Sequence, residues 1–104
     1  MQPSNITEKR LALGGSAAVA LDRLVRIAQS DTGQSRIVAN FLLAWWNAHE
    51  CGGFDLTDLW GVDTEIAQDM LLLLRWLSEH RHYPDALGYG TRFEQLVRRW
   101  RPEV

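Results

Sequence analysis

A single cysteine, Cys51, stands in 104 residues, so no disulfide can form within the chain, and the opening MQPSNITEKR lacks the apolar stretch of a secretory signal. A reducing cytoplasm is the expected compartment. No unbroken apolar run approaches the roughly 20 residues that span a bilayer, so no membrane-crossing helix is expected. Excess charge is missing too: the net value of -2 argues against a chain whose main work is gripping phosphate backbones, because that binding needs a basic face. The sequence has no glycine-rich phosphate loop, no serine elbow and no pair of carboxylates set apart from helix starts, which leaves catalysis without an anchor. It also has no internal repeat and no alternating apolar and polar run of strand length.

What is present is helical. With 46% hydrophobic and 23% charged residues, the chain can bury one core and is too short for two. Residues 1–14 read as a flexible N-terminal arm ending at Gly14-Gly15, and residues 15–104 as a single helical domain. Ser16 is placed to cap a helix whose apolar positions Ala17, Ala20, Leu21, Leu24, Val25 and Ala28 follow helical spacing. Asp31 and Gln34 have capping-box spacing ahead of a second helix over about 32–50, apolar on more than one side and stopped by Gly52-Gly53. A short helix over 54–60 with Leu56, Leu59 and Trp60 on one face comes next.

Asp63 opens a third long helix to about Arg81, with a main stripe of Ile66, Met70, Leu73, Leu74 and Leu77. Tyr83 to Gly90 is turn chemistry, in which Tyr83 and Leu87 should fold back onto the core. Thr91 and Glu94 form a capping box for a last helix carrying Phe93, Leu96, Val97 and Trp100, and Pro102 ends it. The expected fold is all-α, a compact bundle of four main helices plus one short helix. Its core should comprise Leu21, Leu24, Val38, Phe41, Leu42, Trp45, Met70, Leu73, Leu74, Leu77, Leu96 and Trp100.

His49, Cys51, His80 and His82 are the candidate metal ligands, yet their spacing matches no standard zinc motif, and neighbours two apart on a helix diverge. Neither a metal nor another cofactor is expected, and no enzyme activity; a metal- or cysteine-dependent enzyme, with Cys51 as nucleophile, His49 or His80 as base and Asp85 to orient it, is the third reading. Acids gather at Glu50, Asp55, Asp58, Asp63, Glu65 and Asp69 with no Lys or Arg among them. From Arg81 to Arg101, five arginines face two acids, a local charge of +3. The arginines Arg92, Arg98, Arg99 and Arg101 are the alternative, nucleic-acid-facing surface, although helix-dipole complementation explains much of this layout.

Five tryptophans, with Trp45 and Trp46 adjacent, are hard to hide in one small core, because helix neighbours differ by about 100°. Trp46 and Trp60, with Asp55 and Asp58, are the expected protein interface, and a two-fold symmetric homodimer with Trp46 near its interface is the expected assembly.

The segments FLLAWWNA, CGGFDLTDLW and HRHYPDALG are distinctive. Through them the chain resembles, over roughly residues 18–102, a family of short uncharacterised proteobacterial proteins, a domain of unknown function often encoded on plasmids and integrative elements. The resemblance implies a cytoplasmic accessory protein acting in regulation of a mobile element or in interference with host defence. It brings no activity with it.

Overall fold

The computed structural model describes residues 15–104, so the arm expected over 1–14 lies outside the described residues. Four main helices form the domain: α1 (Gly15–Ala28), α2 (Gly33–Cys51), α3 (Thr64–Glu79) and α4 (Gly90–Trp100). Two short 3-10 helices, η1 (Leu56–Gly61) and η2 (Pro84–Leu87), fill the connections, and no strand occurs among the described residues. The expected all-α bundle is what the chain forms, with η2 as an added turn.

The order of packing follows from side-chain size. α1 buries Ala17, Ala18, Ala20 and Ala28 beside Leu21, Leu24 and Val25, and its small residues let α2 and α3 approach it from two sides. α2 is buried nearly all round at Ile37, Val38, Ala39, Phe41, Leu42 and Leu43, because α1, α4 and η1 each cover part of its surface. The chain itself thus supplies the cover that an apolar helix of this kind needs.

Polar contacts fix these placements. Arg23 on α1 grips Asp69 on α3 with two hydrogen bonds of 2.8 Å, which raise the pKa of the guanidinium and account for a largely buried carboxylate at the edge of the α1–α3 contact. Trp100 Nε1 donates to the Ala28 carbonyl at 2.8 Å, so α4 satisfies an orphan group at the end of α1. Gly52 ends α2 at φ +94° and ψ 160°, a backbone region open essentially to glycine alone.

Three sequence expectations need correction. The first is the phase of α3: Met70, Leu73 and Trp76 are buried, while Leu74 is 41% exposed. Apolarity cannot phase the run Leu71 to Leu74; α1 does so by packing α3 with Asp69 toward Arg23 and Trp76 inward. The second is capping. Thr32, not Asp31, caps α2, accepting from Ser35 N at 3.0 Å, and Gln34 reaches instead across to the start of α3, where its Oε1 accepts from Asp63 N at 2.6 Å. α4 opens at Gly90 with Tyr89 as its cap residue and no side-chain cap bond, which puts Thr91 inside the first turn. The third is the loop: Leu87 folds into the core as expected, but Tyr83 is 66% exposed.

Candidate interaction surface

η1 is held by what precedes and follows it. Phe54 packs edge-on against Phe41, ring centres 5.4 Å apart, and Leu59 and Val62 are partly buried against the core. Gly61 makes a close approach to α2, since a Cβ there would meet Ile37 Cδ1 at 2.9 Å. Asp55 caps the turn: Thr57 donates to its Oδ1 through both its amide, at 3.0 Å, and its hydroxyl, at 2.8 Å. These bonds, the hydroxyl's foremost, hold the Asp55 carboxyl below its ordinary pKa. Their contribution is present above the ordinary carboxylate pKa and is lost as pH falls through the lowered one.

With its inner residues so engaged, a 3-10 turn of six residues directs the others outward. Leu56 is 70% exposed and Trp60 85%. Asp58 is half-buried and Asp55 exposed beside them in sequence. The expected bracing face of Leu56, Leu59 and Trp60 is therefore split: Leu59 packs inward, and the other two stand in water. The capped loop thus presents an exposed indole and isobutyl group with carboxylates nearby in sequence, and of these side chains it is the tryptophan that is enriched at interface hot spots.

Trp46 stands elsewhere. It stacks on Phe93 with ring centres 5.6 Å apart, and Trp45 meets the same ring edge-on at 5.8 Å. Both indoles are half-buried, and Trp45 Nε1 donates to the His82 carbonyl at 2.9 Å. The structure therefore separates Trp46, in the α2–α4 contact, from Trp60, Asp55 and Asp58 on η1.

The arginine surface is largely engaged from within. Arg92 lies over the Tyr89 ring at 4.4 Å and 3.7 Å from Asp22. Arg99 donates to the Ser30 carbonyl and lies 3.8 Å from Asp31. Arg101 donates to the Cys51 carbonyl at 2.9 Å and to Asn40 Oδ1 at 2.6 Å. Arg98 is exposed.

Among the described residues, no three His, Cys, Asp or Glu side chains converge as a metal-binding group. His80 stacks on Trp76 at 4.4 Å, its Nδ1 2.9 Å from the Trp76 carbonyl. Cys51 is buried, and burial pushes its thiol pKa up against the opposing pull of Arg101, which disfavours the thiolate a nucleophile needs. Tyr89 was missed by sequence reasoning: set between two turn glycines, it is nonetheless fully buried, its hydroxyl donating to Asp22 at 2.6 Å.

Fold and surface together define a small all-α domain that displays an exposed indole on a short capped turn. A family of unknown function, DUF7673, matches residues 18–101, and the chain belongs to that family. Nothing matches it among the curated proteins or among the solved structures.

Proposed function

We propose that the domain is a small non-catalytic protein-interaction module that binds its partner through η1. The observation that carries this reading is the 85% exposure of Trp60 next to exposed Leu56, on a turn that Asp55, Phe54 and Leu59 make rigid. A turn held by these contacts presents Trp60 without first being ordered, and tryptophan is enriched among residues that dominate interface energies. The carboxylates alongside favour a partner with basic groups around an apolar pocket. A cytoplasmic location agrees with the unpaired cysteine, and no helix among the described residues is long and apolar enough to cross a membrane. A regulatory or accessory role on a mobile element is the context that the family resemblance supports.

Affinity capture from the native host, with nuclease treatment, tests the assignment. Trp60→Ala should weaken retention of the specific protein partner by about 30-fold or more, as expected for an anchor worth roughly 2 kcal/mol, while its thermal melting stays that of the wild type. A protein retained equally by both forms would overturn the reading. Salt-dependent retention of nucleic acid, lost in Arg98→Ala, would favour the alternative surface on α4.

Self-association is a second reading, favoured by the outer side of α3, where Leu71 is 53% and Leu74 41% exposed. These leucines lie one turn apart and form a ridge that a two-fold copy can cover. Sedimentation at micromolar concentration should then give twice the 11.9 kDa chain mass, and Leu74→Glu should return the monomer. A wild-type monomer would remove this reading and leave η1 untouched.

A further inference from the structure

A cleft of about 640 Å³ opens where the end of α2 meets the loop before η2, lined by Trp45, Trp46, Asn47, His49, Tyr83 and Asp85. Its volume falls within the range of small-molecule sites, and it opens widely to solvent. Helical dihedrals break at Asn47, with φ -166° and ψ 83°, and the Asn47 side chain takes up the Glu50 amide at 3.2 Å. That break turns the last residues of α2 away from the line of the helix beside Trp45 and Trp46.

The opposite wall is fixed as well. The bond from Trp45 Nε1 to the His82 carbonyl holds the chain just before Tyr83. Pro84 and Leu87 are buried and anchor η2, and Gly90 approaches Asp85 so closely that a Cβ there would lie 3.3 Å from the Asp85 Cβ. Tyr83 is nevertheless 66% exposed, and the cation nearest in sequence, Arg81, lines an adjoining cavity rather than this one. The ion pairs formed among the described residues leave Asp85 out.

Three aromatic residues, Trp45, Trp46 and Tyr83, and Asp85, which has no cation partner among the described residues, thus line one cleft. Aromatic faces carry negative quadrupole charge and attract cations, most effectively those that shed water easily. An anion would be repelled by Asp85. A bare metal ion would find only His49 and Asp85 as side-chain ligands of the usual type, too few for a metal site. We propose that this cleft binds an alkylammonium group, with Trp45, Trp46 and Tyr83 lining the site around the cation and Asp85 neutralising its charge.

Calorimetric titration of the full chain with choline, and with its neutral isostere 3,3-dimethylbutan-1-ol, separates charge recognition from simple apolar filling. Choline should bind at least about tenfold tighter than the alcohol, and Tyr83→Ala and Asp85→Asn should each weaken it by roughly five- to tenfold. Both altered residues are exposed, so circular dichroism should show an unchanged fold. A trimethyllysine peptide identifies the source: tighter binding than choline assigns the cation to a peptide, weaker binding to a free small molecule. Equal binding of choline and the alcohol would overturn the proposal, as would no binding of either choline or the peptide at millimolar concentration.

Discussion

Phe93→Ala should destabilise the domain by about 3–5 kcal/mol, the range for removing a fully buried aromatic ring. Phe93 is completely buried, and it is the residue that both Trp45 and Trp46 contact, one edge-on and one stacked. Its loss would leave a cavity between α2 and α4 and withdraw packing from two indoles together. Chemical denaturation should show a midpoint shift of that size, with tryptophan emission moving to longer wavelength before unfolding begins. A cost below about 1 kcal/mol would mean that the α2–α4 contact closes without Phe93.

The second large effect separates two neighbouring leucines of the same chemistry. Leu73→Ala should cost about 2–5 kcal/mol, whereas Leu74→Ala should cost less than about 1 kcal/mol. Leu73 is wholly buried and Leu74 is 41% exposed, so the contrast depends only on the rotation of α3 about its own axis. Denaturation of the two variants side by side measures that rotation. The reverse order of costs would turn α3 by about 100° and break the pairing of Asp69 with Arg23.

These two cases also show how far local sequence reaches. The helices were legible because apolar spacing and glycine stops act locally: the apolar spacing of α1 runs out at Ala28, and α2 ends at Cys51, before Gly52, where the backbone takes a positive φ. The phase of α3 was not legible, because a run of leucines satisfies several rotations and only α1 chooses among them. Gln34 was expected to close a box with Asp31, yet it bonds to Asp63, 29 residues away. Trp45 and Trp46 diverge by one residue on the helix, and both reach Phe93 because that ring lies between their two directions.

The geometry of the proposed surface on η1 was legible in part. Trp60, Asp55 and Asp58 fall on one turn, as their closeness in sequence requires, with Trp60 and Asp55 exposed and Asp58 half-buried, and Asp55 proves to be the cap of that turn as well. Trp46 does not join them, since α4 arrives over it through contacts that no local pattern reveals. The acidic run is likewise divided by the fold. Asp69 turns inward to Arg23, Asp63 starts α3 beside Gln34, and Glu65 remains on the surface.

Photocrosslinking from η1 in the native host tests the central claim most directly. Leu56→p-benzoylphenylalanine places the reactive group on the exposed turn next to Trp60, and the same replacement at Arg98 samples the exposed arginine of α4. The account predicts one discrete protein adduct from position 56, lost when Trp60→Ala is combined with it, and none from position 98. No adduct from position 56, or a nucleic-acid adduct from position 98 alone, would contradict it.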